Sequence, residues 1–341
     1  PKLFVIVNDP PKFSVATPGT TSIFNFNGSV AQTIPIGVSA VTYANLNVNN
    51  TSAGGATLSA AISAANVTQA LSVQSGTFNN GGFAIILNTK TLSVSSGATF
   101  NLTGTSTMAT GTLSKTFGAT STTNYAGAAQ TVTAETYGNL TLSGSGTKTM
   151  PGSATTVAGN FTTSGTISAT ALAAINTSGN VTLGSGTTFV SGAFTHNVGG
   201  NWANNGATFT ATGSTINLNG TIPQSIGGSS TTTFNNLTDA NISADASVST
   251  NTNISGTLNM NGANTKLVPA AAVVFNSAGA AGTITGTGTV KVTRTAATAD
   301  YSSQYKFTTN TLTNLTVEYT VVGGGQTISP LTYGTLTLDN T

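Results

Sequence analysis

Four Gly-Asn-apolar triplets stand almost one fixed step apart. They are Gly138-Asn139-Leu140, Gly159-Asn160-Phe161, Gly179-Asn180-Val181 and Gly200-Asn201-Trp202, with steps of 21, 20 and 21 residues. A chain that returns to the same local sequence at so short a period is a repeat architecture. Coils of about 20 residues stacked as a β-solenoid account for it, because each coil sets equivalent residues above those of the last. Neighbouring coils then lie about 4.8 Å apart, the hydrogen-bonding distance between strands. Asn139, Asn160, Asn180 and Asn201 are expected to form a ladder in which each amide bonds to the next. Beside them Leu140, Phe161, Val181 and Trp202 are expected to pile into one apolar column. The glycine before each Asn fits a corner, where positive φ costs it nothing, and Thr between apolar residues suits an outward strand face.

Composition agrees with an all-β elongated solenoid (β-helix). Charged residues are 5% of the 341, against about 25% in an average globular chain. Disorder would pair low hydrophobicity with high net charge, whereas this chain is 38% hydrophobic with a net charge of +2. Gly, Thr, Ser, Asn and Val are weak helix formers. No cysteine is present, which rules out disulfides and thiolate metal sites. No apolar run reaches the 18 or so residues of a membrane-spanning helix. At about 20 residues per coil the chain would make about 17 coils and reach roughly 80 Å at the inter-strand spacing, a rod.

A longer period is superposed. Gln32, Gln130, Gln224 and Gln326 each precede a variant of one phrase: TYANLNV from Thr42, TYGNLTL from Thr136, TFNNLTD from Thr233 and TYGTLTL from Thr332. The Gln residues stand 98, 94 and 102 apart. This divides the chain into an atypical N-terminal strand and linker, 1–21, and a repetitive region, 22–341, with repeats 22–120, 121–213, 214–315 and a partial one, 316–341. A repeat of roughly 98 residues also fits tandem immunoglobulin-like sandwiches, the alternative architecture. The 20-residue step within a repeat counts against it. Residues 268–312 show no period.

The phrases AQTIP, TYGNLTLSGSGTKTM, VAGNFTTSGTISA and STINLNGTIPQSI resemble the β-strand-repeat regions of large secreted surface proteins of Bacteroidetes-type bacteria. They are more distantly similar to the β-helical stalks of filamentous-haemagglutinin-like adhesins. The resemblance covers about residues 22–341 and consists of low-complexity repeats. It implies a stalk, coat or adhesive fibre outside the cell, and it carries over no catalytic residue.

Chemistry is sparsely supplied. Asp239 and Asp245 are the only acids close in sequence; a glycosidase needs two carboxylates about 5 to 10 Å apart, and these read as solvated turn residues. His196, the single histidine, lacks a nucleophile elbow and reads as an outward strand residue. A metal site would need more imidazoles or clustered carboxylates. The segment Gly286–Lys291 matches no full phosphate loop. Lys291 and Arg294 read as one polar strand face. Nine Lys and Arg form no basic stripe, so nucleic-acid binding is not expected. No catalytic residue, cofactor or metal ligand is assigned. Tyr43, Tyr137, Phe234 and Tyr333 recur at one repeat position. They are expected to pack inside as stacking devices, with an exposed row stacking on glycans as the alternative.

The N-terminal strand Leu3, Phe4, Val5, Ile6, Val7 is the most hydrophobic in the chain, and Asp9-Pro10-Pro11 separates it from the repeats. It has three fates: covering its own solenoid, lying along its side, or adding to another subunit's sheet. At the other end Leu336 and Leu338 stand in an uncharged β phrase. The expectation is a head-to-tail homopolymer, since a heterologous contact that does not close gives a filament. Secretion after signal-peptide removal is expected from the opening at Pro1, the scarcity of charge and the absence of thiols. The alternative is an adhesin or stalk module that binds glycans or surfaces.

Overall fold

The computed structural model describes residues 3–6, 21–37, 41–106, 108–111, 114–296, 300–320 and 325–339. It divides into two compact units, Pro1–Pro151 with Thr156–Gly159 and Thr163–Ala169, and Gly152–Thr155 with Asn160–Thr162 and Thr170–Thr341. Both are parallel β-solenoids with coils of roughly 21 residues, about 15 turns in all. An immunoglobulin-like sandwich would be antiparallel. Among the described residues the ladders are parallel and the one antiparallel pairing is an isolated Gly184–Gly206 bridge.

In the first unit one sheet runs Leu3–Ile6, Ile23–Phe26, Tyr43–Val48, Val67–Val73, Thr91–Val94, Lys115–Phe117. Every second residue points inward, so Phe26, Val48, Val73, Val94 and Phe117 stack in register. Outward positions on the same strands hold Asn25, Asn47, Ser72 and Ser93; Ser93 Oγ bonds Ser72 Oγ across coils at 3.0 Å, and Asn25 Oδ1 accepts from Asn49 Nδ2 at 2.6 Å. The second face starts with Gln32–Ile34, Ala56–Leu58, Thr77–Asn79 and Thr99–Leu102, where Phe78 and Phe100 stack with ring centroids 5.2 Å apart.

The second unit sets three strands on a coil, for example Trp202–Asn205, Thr208–Thr210 and Thr215–Leu218. Val181, Trp202, Ile226 and Val248 share one column. His196, Ile216, Leu237, Leu258 and Ile284 share another. Residues 268–312, where the sequence shows no period, nonetheless belong to the coils: Leu267 pairs with Val290 and Val290 with Val317. The step lengthens there because a five-residue helix, Asp300–Gln304, is inserted. Gln304 pins this insert by accepting from Thr293 N (3.0 Å) and donating to Thr293 Oγ1 (3.0 Å). Asp300 accepts from Thr327 N (2.5 Å) and Ala296 N.

The Gly-Asn step has a different cause from a positive-φ corner. None of Gly138, Gly159, Gly179 and Gly200 has positive φ. A Cβ on Gly159 would instead lie 2.2 Å from Asn139 Oδ1, and one on Gly200 2.5 Å from Asn180 Oδ1. The Asn side chain of one coil fills the space that a side chain on the next would need. From there its Oδ1 accepts a backbone N–H: Asn180 N to Asn160 Oδ1 (2.8 Å) and Asn201 N to Asn180 Oδ1 (2.7 Å). The expected amide-to-amide ladder is therefore an amide-to-backbone ladder at these positions. Amide-to-amide bonding occurs on another face, Asn197 to Asn176 and Asn217 to Asn197, both 2.8 Å. Leu140, Phe161, Val181 and Trp202 are all buried.

Candidate functional site

The four phase-marking glutamines turn out to be one structural device. Gln32, Gln130 and Gln224 are buried, each just after a Gly turn. The Oε1 atoms accept the N–H of Gly28, Gly127 and Gly220, each at 2.8 Å. The Nε2 atoms reach back to the preceding coil: to Ile6 O (2.8 Å), to Leu102 O (3.1 Å) and Ser106 O (2.7 Å), and to Val198 O (2.8 Å) and Gly200 O (2.6 Å). Gln326 repeats the reach onto Val292 O (2.8 Å) and Arg294 O (3.0 Å).

A third member comes from the following coil. Asn50 Nδ2 donates to Gln32 Oε1 (2.9 Å) and Val30 O (2.7 Å); Asn241 Nδ2 donates to Gln224 Oε1 (3.1 Å) and Ile222 O (2.7 Å). In the second long repeat that place belongs to Lys148, fully buried. Its ammonium donates to Gln130 Oε1 (2.8 Å), Ala128 O (2.8 Å) and Gly127 O (2.7 Å). The three N–H groups meet three oxygens and no carboxylate. Burial lowers the Lys148 pKa to about 8. Neither Lys148 nor this use of the glutamines is evident from the sequence, because the partners lie 17 or 18 residues away, on the next coil.

The aromatic row points inward for the most part. Tyr43, Tyr137 and Phe234 are buried, which leaves them no ring face for a sugar and corrects the glycan-stacking alternative at those three. Tyr43 OH donates to Pro35 O (2.8 Å), Tyr137 OH to Thr133 O (2.7 Å) and Tyr333 OH to Ser329 O (2.7 Å). Those carbonyls each stand three residues after a clamp glutamine, so each tyrosine pins the loop that comes after the clamp. Phe234 lacks the hydroxyl and packs on Trp202, ring centroids 5.2 Å apart. Tyr333 is half-buried.

Two ionisable groups expected at the surface are buried. His196 Nδ1 accepts from Ile175 N (3.0 Å) and Nε2 bonds Ser191 O (2.8 Å), which requires the neutral ring protonated on Nε2. Burial lowers its pKa from the ordinary 6.5, and protonating Nδ1 would break the Ile175 bond. The unfolded chain then binds the extra proton first, so stability falls as pH drops below about 6.5. Between pH 7.5 and 5 the urea midpoint of wild type should fall relative to that of His196→Gln, the difference between the two proteins being the His-dependent part. Asp239 is buried in the strand Asn236–Asp239, whereas Asp245 is exposed. The two thus form no solvated pair.

Two ion pairs form among the described residues. Lys115 bonds Glu135, and Lys291 lies 3.0 Å from Glu318 on the adjacent strand. Among the described residues no three His, Cys, Asp or Glu side chains come together as a metal site would require, and no helix is long and apolar enough to cross a membrane.

The strand Leu3–Ile6 takes the first of the three fates open to it, in part. It pairs in parallel with Ile23–Phe26, and the rings of Phe4 and Phe24 stack at 4.7 Å. Ile6 is buried, while Leu3 and Val5 are 61% and 51% exposed. Val7 lies outside the described residues. Leu336 and Leu338, in Thr335–Leu338, continue the columns of Val317 and Tyr319 and are 39% and 61% exposed. Among the described residues each of these strands is the last in its sheet. Comparison with protein-family models, curated proteins and solved structures finds no match to this chain.

Proposed function

We propose that this chain is a non-enzymatic, extracellular structural protein, the subunit of a surface filament or sheath that grows by strand addition between copies. The observation that carries the reading is the edge at Leu3–Ile6. An apolar strand is held in place by one neighbour, with its other edge unpaired among the described residues and Leu3 and Val5 bare. An open, uncharged β edge is a template for another strand, and main-chain bonds supply the affinity in such additions. The exposed Leu336 and Leu338 offer a second apolar edge strand of the same kind. Support also comes from the rest of the fold, where the buried polar groups of the clamps and ladders tie coil to coil.

A backbone substitution tests this. Ile6 O accepts from Asn27 N at 2.9 Å, so the backbone of Ile6 faces its neighbour and that of Val5 faces the open edge, because successive residues along a strand alternate in direction. Val5→Pro removes one donor from the open edge only. Wild-type protein should form fibres in negative-stain micrographs and sediment as growing species with concentration, and Val5→Pro should raise the concentration needed at least tenfold. A wild-type chain that stays monomeric at high concentration sinks the reading.

A further inference from the structure

Asp239 occupies a position that is apolar in the other copies of its phrase: Val48, Leu142 and Leu338 stand where it does. The structure keeps that position inward. Asp239 lies in register between Leu218 and Met260 and is 1% exposed. Its Oδ1 accepts the N–H of Asn241 at 3.0 Å, and its Oδ2 is buried with no hydrogen-bond partner. Asn241 is the third member of the Gln224 clamp, so this carboxyl connects an apolar column to the device that joins the coils. An ionised carboxylate has about four acceptor sites to fill. One donor leaves a buried charge largely unsolvated, which is costly.

Among the described residues no basic side chain pairs with it. The flanking strands Thr215–Leu218 and Thr257–Met260, the clamp strand Gln224–Gly227 and the next strand Ala246–Val248 carry no titratable side chain. The charge that acts on Asp239 is the exposed carboxylate of Asp245, of like sign. We propose that Asp239 is a pH-responsive latch of the second unit: neutral, it sits between Leu218 and Met260 and holds its coil closed; ionised, it loosens that coil and the Gln224–Asn241 clamp.

Burial, with the repulsion from Asp245, pushes the Asp239 pKa from 3.8 to about 7. The folded chain therefore holds a proton that the unfolded chain has lost between about pH 4 and 7. The latch acts in full below that window, weakens through it, and is spent above about 7. Within the window the local opening constant rises by at most tenfold per pH unit. His196 and Lys148, whose pKa values shift downward, act in the opposite sense, so the readout is the difference between wild type and an Asp239 variant.

Hydrogen exchange, corrected for its intrinsic pH dependence, should be followed in Asn236–Asp239 and Thr257–Met260 for wild type, Asp239→Asn and Asp239→Leu at pH 5 and 8. Relative to either variant, wild type should open more readily at pH 8 than at pH 5, by up to about a hundredfold over the two units from 5 to 7. Asp239→Leu, which restores the residue of the Leu142 and Leu338 copies, should outlast wild type at pH 8. Should Asp239→Asn fail to fold, Asp239→Leu gives the same comparison. A variant that keeps the wild-type pH slope overturns the latch.

Discussion

Gln130→Ala is expected to lower the unfolding free energy of the first unit by about 4 kcal/mol, far more than a typical polar-to-alanine change. The reason is the number of buried groups that one side chain satisfies. Its loss strands Gly127 N, the carbonyl of Ser106 and one N–H of the Lys148 ammonium, and takes from Leu102 O the second of its two donors, the first being Ala126 N at 2.7 Å. A buried ammonium short of an acceptor is the most expensive of these, since breaking a buried charged contact from one side leaves an uncompensated charge. Lys148→Met, which keeps the stem and drops the charge, should cost less, about 1 to 2 kcal/mol, because Gln130 Oε1 keeps Gly127 N and Gly127 O keeps Ser145 N while Ala128 O loses its donor, and the ammonium no longer has to be desolvated. The two changes share one network, so the double variant should be less destabilised than the sum of the singles by about 2 kcal/mol. Urea midpoints at unchanged m-value report all three. Simple additivity, or a cost under about 1 kcal/mol for Gln130→Ala, would show that the clamp does not act as a unit.

Trp202→Ala should cost about 4 to 5 kcal/mol, at the upper end for a buried aromatic. Its indole lies 5.1 Å from Phe209 and 5.2 Å from Phe234, centroid to centroid, and Nε1 donates to Thr232 Oγ1 at 3.2 Å. The ring also borders a small apolar void together with Phe161, Val181, Phe189 and His196, so truncation enlarges a space that is already imperfectly filled. Trp202→Phe keeps most of the packing and leaves Thr232 Oγ1 without its donor, for a cost of about 2 kcal/mol. In a solenoid each coil contacts only its neighbours, so exchange protection should fall around Val181–Gly184 and Gln224–Gly227 and persist in Ile23–Phe26 and Thr91–Val94. A loss spread evenly over both units would contradict this.

The fold is legible in the sequence because its cause is local and repeated. A Gly-Asn pair every 20 or 21 residues reports a contact between Asn Oδ1 and the space beside a glycine one coil later, and that contact leaves its spacing in the sequence. The direction of the hydrogen bond does not show, since amide-to-amide and amide-to-backbone ladders need the same residues. The glutamines are visible as markers but their purpose is not, because it depends on partners that differ in type, Asn50, Lys148 and Asn241, at a separation of one coil. His196 escapes for a related reason. It sits in Thr195–Val198, where Thr, His and Asn are all polar, so alternation cannot tell inside from outside. Asp239 looks like a surface residue by type, while its register with Leu218 and Met260 comes from the phrase it shares with Leu142. Residues 268–312 hide their coils because the helical insert at Asp300–Gln304 stretches the step.

Similar repeats in one chain invite exchange while folding, when a coil meets the counterpart of its proper neighbour from another copy. The third clamp position sets the Lys148 copy apart from the other two. Asn50 and Asn241 bring a short amide with two hydrogens for two oxygens, whereas Lys148 brings a long stem and three hydrogens for three. An Asn in the Lys148 place leaves an oxygen unmet, and a Lys in an Asn place forces a charge on a site one acceptor short. Likeness among the coils builds the stack, and this unlikeness penalises an exchange between the Lys148 copy and either of its relatives.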